Sequence, residues 1–183
     1  MDDQVLHSLS NTLLSQGFHV VRFNSRGVGR STGRASFTGL PEARDLQDVV
    51  QWSMNQVPNV GTLALVGYSH GCLPVLLHPL HPQVHTVHIL ISFPLSPLPL
   101  LTAFHSSTYT SALSALTSNP QARVLILYGD RDQFTAVGKY HSWVNAFKAN
   151  SVDCVQVAGG DHFRRGEAGA EMRNTVKEWL NHH

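Results

Sequence analysis

Apolar positions along this chain follow two periods that alternate from one end to the other. Apolar residues at helical spacing begin at Val5 and stop at Gly17, and the same spacing returns in later segments. Runs of apolar and β-branched residues between them predict strands. The predicted helices are 5–17, 41–55, a short one near 112–116, 138–149 and 164–181. The predicted strands are 18–23, 62–66, 84–92, 124–128 and 154–157.

Strands that alternate with helices predict an α/β fold. In such folds a mostly parallel sheet is covered by helices on both faces. The sequence contains no internal repeat and no linker-like segment, so residues 1–183 are predicted to form one domain. A glycine-rich turn is expected at 24–33, between the first strand and the second helix.

Composition and charge narrow the class of protein. Hydrophobic residues make up 42% and charged residues 14% of the chain, and the net charge of +1 gives no electrostatic reason to bind nucleic acid. Two cysteines are too few for a disulfide framework, so reduced thiols are expected. The acidic N-terminus lacks a signal-peptide pattern, and no apolar run is long enough to span a membrane. We therefore expect a cytoplasmic protein.

Residues 62–71 (TLALVGYSHG) carry the strongest chemical signal. A buried strand runs into G-x-S-x-G, a pattern typical of a sharp turn that holds a serine in a strained conformation above the sheet edge. Gly67 and Gly71 are expected to be small because strand and helix backbones pass close to the turn. Ser69 is thus a candidate nucleophile, and the backbone N–H of His70 is a candidate oxyanion donor.

Two further candidate catalytic residues follow later predicted strands. Asp132 comes after the strand 124–128, and His162 comes after the strand 154–157. Loops at the carboxyl ends of parallel strands meet at one edge of the sheet. A serine nucleophile needs a histidine to accept its proton and a carboxylate to orient that histidine. We predict that Ser69 is the nucleophile, His162 the general acid–base and Asp132 the orienting acid.

Other patterns in the sequence are weaker. The glycines at 27 and 29 match neither the dinucleotide fingerprint nor a Walker A loop, so nucleotide binding is not expected. Four histidines between residues 78 and 88 are interpreted as scattered solvent-exposed residues rather than a metal site. Cys72 is expected to pack as a small apolar side chain. Core positions are expected for the tryptophans, which are Trp52, Trp143 and Trp179.

One long stretch of the chain carries no Asp, Glu, Lys or Arg. It runs from residue 49 to residue 122. The simpler interpretation is that the stretch comprises a core strand, the helix after Ser69 and a central loop. The alternative is that residues 93–104 form an apolar lip over Ser69, which admits acyl chains or contacts a partner.

The combined motifs resemble those of small α/β-hydrolases with little lid, found in bacteria and fungi. They stand at 17–33 (GFHVVRFNSRGVGRSTG), 67–71 (GYSHG), 129–132 (GDRD) and 161–163 (DHF). The resemblance implies the α/β-hydrolase fold and a serine triad with Asp132 as its acid, while Asp130 shapes the loop. Members of that group have further strands before the first helix, and a loop there supplies the second oxyanion donor. The chain is therefore expected to be an N-terminally incomplete hydrolase domain.

The sequence supports two functions of different classes. The first is a serine hydrolase that cleaves carboxylic esters or thioesters of small molecules through an acyl-enzyme, with no metal or organic cofactor. The second is a catalytically inactive or fragmentary hydrolase-fold protein that acts as a binding module. A peptidase of the same fold is a weaker third possibility, because the segment between Ser92 and Arg123 leaves room only for a small lid. The sequence predicts no particular protein partner.

Overall fold

Four parallel strands form the sheet of this protein in a computed structural model that describes residues 3–96, 98–102, 105–147, 152–163 and 165–182. Their spatial order is β1-β2-β3-β4, the same as their order along the chain. The registers place Leu65 beside His88, Ile89 beside Leu125 and Ile126 beside Cys154. The strands are β1 (Thr62–Tyr68), β2 (His85–Ile91), β3 (Arg123–Gly129) and β4 (Val152–Val157). The predicted parallel sheet is confirmed.

Seven α-helices connect these strands within the described residues. The longest is α2, which begins with a proline in its first turn as a helix start favours. Within these ranges no helix is both long enough and apolar enough to cross a membrane. The helices are α1 (Gln4–Ser15), α2 (Leu40–Gln56), α3 (Cys72–Leu76), α4 (Leu98–Leu101), α5 (Ser106–Ser118), α6 (Val137–Val144) and α7 (Gly166–Asn181).

The sheet separates two hydrophobic cores. Leu90 points into the core formed with α2, α3, α5 and α6, whereas Ile89 and Ile91 point into the core formed with α1 and α7. This alternation is what a strand buried on both faces produces. Each fully buried aliphatic side chain contributes about 1.5–3 kcal/mol by leaving water. The prediction that helices cover both faces is therefore confirmed.

Most predicted elements are present, with differences in extent. The helix expected near 112–116 is the much longer α5, and the helix expected over 138–149 ends at Val144, its predicted last residues lying outside the described residues. Trp179 is buried and Trp143 packs on the core. The expectation for Trp52 is wrong, because its side chain on α2 is 58% exposed. Its neighbours Leu46 and Val50 already supply the buried face of that helix.

The predicted strand at 18–23 is absent from the sheet. The segment keeps the period of a strand, with Phe18, Val20 and Arg22 partly buried and the residues between them exposed. It nevertheless lies outside the sheet, because a cleft lined by both elements separates it from β1. Sequence periodicity reports which side chains face the core, whereas a strand also needs a neighbour at hydrogen-bonding distance.

The expectation of solvent-exposed histidines at 78–88 is also wrong. His88 is fully buried in β2 and its Nε2 lies 3.1 Å from the carbonyl oxygen of His78, which is itself buried. Its Nδ1 is buried too, without a hydrogen-bond partner among the described residues. Burial lowers the pKa of His88 to about 4, although the hydrogen bond to His78 raises it in part. No group of three or more metal-ligand side chains occurs in the described part of the chain.

We predict that His88 makes the fold sensitive to mild acid. Its folded-state pKa lies below the unfolded value of 6.5. Between these values the unfolded chain binds a proton that the folded chain excludes, so stability falls as the pH drops. Lowering the pH from 7 to 5 should cost about 2 kcal/mol through this residue. Denaturant unfolding at both pH values should show a smaller loss for His88→Leu. An equal loss in both proteins would contradict the assignment.

Candidate active site

A sharp turn at the end of β1 presents Ser69. The strand ends at Tyr68, a single 3-10 turn spans Ser69–Gly71, and α3 follows. Ser69 has a φ of 51°, which is a strained left-handed conformation for a residue with a side chain. A Cβ atom on Gly67 would lie 2.5 Å from the carbonyl oxygen of Gly71 and 2.6 Å from the Cα of Cys72. The predicted strained turn is therefore present, and Gly67 permits it.

The second glycine of the motif, Gly71, is not needed for the close backbone approach that the sequence predicts. A Cβ atom on Gly71 would meet nothing within 4 Å, so close backbone approach does not require this glycine. Cys72 fills the space under the turn instead. Its side chain is fully buried, and its Sγ lies 3.3 Å from the carbonyl oxygens of both Gly67 and Ile91. Burial strongly raises the pKa of the Cys72 thiol, so this sulfur stays neutral, as the apolar packing role predicts.

His162 lies between the other two predicted residues. Its Nε2 is 3.0 Å from the Oγ of Ser69, and its Nδ1 is 2.8 Å from the Oδ2 of Asp132. A neutral imidazole that donates from Nδ1 to the carboxylate leaves Nε2 free to accept the serine proton. The structure thus brings all three predicted residues together from the loops after β1, β3 and β4.

Asp132 is held as an ionised carboxylate. Its Oδ1 accepts hydrogen bonds from the backbone N–H groups of Phe134 (2.8 Å) and Thr135 (3.1 Å). Burial of the carboxylate raises its pKa, but the hydrogen bonds from His162 and from these two amides outweigh burial, so the pKa of Asp132 is lowered. Asp130 has no such contacts, and its buried Oδ1 has no hydrogen-bond partner among the described residues. The geometry therefore favours Asp132 over Asp130 as the acid that orients His162.

Two contacts that the sequence did not predict hold the backbone of His162. The hydroxyl of Tyr68 donates to the carbonyl oxygen of His162 at 3.0 Å, and the side-chain oxygen of Gln133 accepts from its N–H at 3.0 Å. Tyr68 directly precedes Ser69, so one hydrogen bond ties the nucleophile turn to the histidine loop. The sequence signal for this contact was only the position of Tyr68 within the motif.

Aromatic side chains surround the imidazole of His162. Phe134 and Phe163 meet it edge-on, with ring centroids 4.6 Å and 5.7 Å away. Both phenyl groups are roughly half exposed, with Phe134 at 54%, so they form an apolar border that solvent and ligands can reach. The guanidinium of Arg165 lies 5.0 Å from the ring centroid of Phe163.

The apolar segment 93–104 only partly matches the predicted lip. Phe93 is buried, and its carbonyl oxygen accepts a hydrogen bond from Tyr140 at 2.8 Å. Leu98 and Leu101 pack against the core, whereas Leu100 is 79% exposed. Residues 97, 103 and 104 lie outside the described residues. Phe93 therefore belongs to the core, and Leu100 on α4 is the exposed apolar residue that the lip hypothesis retains.

Polar contacts fix the glycine-rich loop to α2. The guanidinium of Arg26 makes two hydrogen bonds to Asp45, at 2.6 Å and 2.8 Å. Glu42 is buried and accepts from the backbone N–H of Ser36 at 2.7 Å and from the hydroxyl of the same residue. These paired groups explain how a loop with several glycines at positive φ keeps a defined course.

Comparison with known proteins gives the family. Residues 2–97 match the family model described as X-Pro dipeptidyl-peptidase (S15 family). The chain belongs to this family. A curated relative of this S15-family chain is the uncharacterized protein RP471 from Rickettsia prowazekii (strain Madrid E). It is 24% identical over 195 residues, which span 98% of this chain and 72% of that protein.

Solved structures show the fold of this S15-family chain. An alpha-beta serine hydrolase homologue from Coxiella burnetii is 26% identical, with a TM-score of 0.76 over 97% of this chain and 76% of its own. The esterase Pf2001 from Pyrococcus furiosus has a TM-score of 0.75 at 18% identity, over 99% of this chain and 76% of its own. The fold is that of the α/β-hydrolases. Together with the family match, this fold shows that the protein is a hydrolase of that class.

Substitution by alanine should lower stability at one glycine of the turn and not at the other. Gly67→Ala places a methyl group against backbone atoms that cannot move aside, so we expect a loss of about 1–3 kcal/mol. Gly71→Ala meets open space, and its φ of −62° suits alanine, so stability should be unchanged or slightly higher. Thermal unfolding of both variants measures the difference. Equal destabilisation by the two would contradict the described turn.

Tyr68→Phe tests whether the tyrosine hydroxyl positions His162. Removing the hydroxyl costs about 0.5–1.5 kcal/mol and frees the histidine loop. We expect kcat for hydrolysis to fall about threefold to tenfold with little change in KM. Tyr109→Phe is the matched control, because that hydroxyl also donates to a backbone carbonyl, of Thr38, but away from His162. It should lower stability and spare kcat. Equal kcat in the wild type and Tyr68→Phe would refute the positioning role.

Proposed function

We propose that the protein is a serine hydrolase that cleaves carboxylic ester or thioester bonds of small molecules through an acyl-enzyme. One observation carries this proposal. The imidazole of His162 lies within hydrogen-bonding distance of both the Ser69 hydroxyl and the Asp132 carboxylate. That arrangement activates a serine for attack on a carbonyl carbon.

Acylation begins when Ser69 Oγ attacks the substrate carbonyl and His162 Nε2 takes the hydroxyl proton. The carbonyl oxygen becomes an oxyanion, which the backbone N–H of His70 stabilises. As the tetrahedral intermediate collapses, the bond to the alcohol or thiol breaks and His162 returns the proton to that leaving group. Asp132 stays ionised throughout because its pKa is lowered, and it stabilises the imidazolium.

Deacylation repeats these steps with water. His162 removes a proton from a water molecule, which attacks the acyl carbon, and the imidazolium then protonates Ser69 as the acid leaves. No step requires a metal ion or an organic cofactor. The residues that take part are therefore Ser69, His70, Asp132 and His162.

The surroundings of His162 favour an apolar substrate group. Phe134 and Phe163 border the imidazole with phenyl rings that are about half exposed. The Est1E structure from Butyrivibrio proteoclasticus, which aligns over 99% of this chain at 17% identity with a TM-score of 0.76, contains ferulic acid. An aromatic or short aliphatic acyl group is consistent with such a border.

A second candidate function is peptide hydrolysis after proline. The match to the X-Pro dipeptidyl-peptidase family favours it. The chemistry at Ser69 would be the same, except that His162 must protonate a more basic amine as it leaves. A third candidate, a binding module without catalysis, uses the same fold and predicts that Ser69 is unreactive.

Labelling with a fluorophosphonate tests whether Ser69 is an activated nucleophile. The wild type should become covalently labelled on Ser69, and Ser69→Ala should not. His162→Ala should react on the order of 1,000-fold more slowly, because the general base is gone. Ser142→Ala is the control, because that exposed serine on α6 bonds, within the described part of the chain, only to Gly138 of its own helix. It should be labelled like the wild type. A folded wild type that resists labelling would establish the binding-module alternative.

The same proteins then separate the candidate substrates. Hydrolysis of p-nitrophenyl butyrate without cleavage of alanyl-prolyl-p-nitroanilide is the result that the ester proposal expects. Cleavage of the anilide at the higher kcat/KM would replace it with the peptidase function. Asp132→Asn should lower kcat on the preferred substrate by about four orders of magnitude, as in the serine-protease case.

A further inference from the structure

Two serines adopt left-handed backbone conformations at the carboxyl edge of the sheet. One is Ser69, and the other is Ser92, whose φ is 52° against 51° for Ser69. The last pair of the ladder between β1 and β2 is Tyr68 with Ile91. Ser69 and Ser92 are the next residues of the two strands, so both turns leave the sheet at the same level. Such conformations are uncommon outside glycine and concentrate at functional sites, yet the mechanism above gives Ser92 no role.

The φ of Ser92 sets the direction in which the chain leaves β2. Ser92 is fully buried, and its N–H donates to the carbonyl oxygen of Leu127 on β3 at 2.8 Å. The residues that follow, Phe93 and Pro94, are buried as well. A residue before proline is restricted to extended conformations. The chain therefore turns at Ser92 and has little freedom to correct its course immediately afterwards.

Cys72 joins the end of β2 to the nucleophile turn. Its Sγ lies 3.3 Å from the carbonyl oxygens of both Gly67 and Ile91. Gly67 belongs to the turn that carries Ser69, and Ile91 directly precedes Ser92. The thiol has one proton to donate, so both carbonyls must stay within its reach. The Ile91 carbonyl belongs to the peptide unit that the φ of Ser92 orients, so a change at Ser92 moves a contact beneath the nucleophile.

The segment after Ser92 also contacts the loop that carries Asp132. The backbone N–H of Ser96 donates to the hydroxyl of Thr135 at 3.4 Å. The backbone N–H of Thr135 donates to the Asp132 carboxylate at 3.1 Å, and Thr135 is buried. The course of residues 93–96 therefore influences one of the contacts that hold the orienting acid.

We propose that Ser92 is a positioning residue, whose left-handed conformation sets the geometry of Ser69 and Asp132 on either side of it. β2 lies between β1 and β3 in the sheet, so the turn at its end lies between the nucleophile turn and the acid loop. The role belongs to the backbone conformation of Ser92 and not to its hydroxyl. It rests on the proposed hydrolase function where turnover is concerned, whereas its effect on the His162 imidazole requires only the folded protein.

Two substitutions separate the backbone of Ser92 from its hydroxyl. Ser92→Gly removes the hydroxyl but adopts a positive φ freely, so kcat should stay within about twofold of the wild type. Ser92→Thr keeps a hydroxyl, but its β-branched side chain opposes the left-handed conformation. Misplacing reacting groups by about 1 Å lowers a rate on the order of 100-fold. We therefore expect Ser92→Thr to lower kcat for p-nitrophenyl butyrate about tenfold to 100-fold, with little change in KM.

Asn59→Thr is the matched control for the backbone effect. Asn59 also has a positive φ, of 55°, but it lies in the turn before β1, at the opposite end of that strand from Ser69. Threonine opposes the same conformation there, so the variant should lose stability and keep the kcat of the wild type. Denaturant unfolding shows that each variant folds.

A spectroscopic measurement follows the site without any substrate. The Nδ1 proton of His162, which bonds to Asp132, is observed by NMR, and its exchange with water slows as that hydrogen bond tightens. Ser92→Thr should speed exchange of this proton about tenfold, whereas Ser92→Gly and Asn59→Thr should leave it unchanged. The measurement remains possible if the wild type hydrolyses no ester, so it distinguishes failure of the positioning role from failure of the proposed function.

A second pair of variants tests the contact to the acid loop, and it decides the matter if the threonine variant of the β2 turn does not fold. Thr135→Val removes the hydroxyl that accepts from Ser96 but keeps the N–H that donates to Asp132. It should speed exchange of the imidazole proton about threefold to tenfold. Thr86→Val is the matched control, because Thr86 is buried and its hydroxyl accepts from the N–H of His81 at the other end of β2. It should leave the imidazole proton unchanged.

Three results would overturn the proposal. A loss of kcat in Ser92→Gly would assign the role to the hydroxyl. An equal loss of kcat in Asn59→Thr would indicate a general loosening of the fold. Wild-type exchange of the imidazole proton in a folded Ser92→Thr, or in Thr135→Val where Ser92→Thr does not fold, would show that the β2 turn does not position the site.

Discussion

Two hydrogen bonds on one imidazole ring hold the candidate active site together. His162 bonds Ser69 through one ring nitrogen and Asp132 through the other, and these residues stand in loops after three different strands. The parallel sheet makes this possible, because it brings the carboxyl ends of β1, β3 and β4 to the same edge. The backbone contacts of His162 to Tyr68 and Gln133 then fix where the ring stands. Removing any one strand would separate groups that must lie about 3 Å apart.

The turn at Ser69 shows how the fold maintains a strained residue. A positive φ on a residue with a side chain costs on the order of 1–3 kcal/mol. Close passage of Gly67 against the next turn, and the buried Cys72 beneath it, oppose relaxation of that conformation. Packing beneath the turn therefore stabilises the exposed serine above it, and mutations in buried positions there would alter reactivity without touching Ser69.

The sequence predicted most of the elements, and it predicted that Ser69, Asp132 and His162 lie together, because both follow from local patterns and from the parallel order of the strands. Periodicity shows which residues face a core, and G-x-S-x-G specifies a local turn. Contacts between residues that lie far apart in the sequence could not be predicted from these local patterns. The segment 18–23 has the alternation of a strand but no adjacent ladder, His88 is fully buried although histidine has only an intermediate tendency to be buried, and Gly71 has free space beside it. The Tyr68 contact to His162 joins residues 94 positions apart, and nothing local encodes it.

One strand carries the nucleophile turn and is itself held by the sheet. β1 ends at Tyr68, directly before Ser69, and pairs with β2 along its whole length. β2 pairs in turn with β3, and the loop after β3 carries Asp132. The distances from His162 to Ser69 and to Asp132 therefore depend on the registers of these ladders, because a slip of one residue would move a loop by about 3.3 Å.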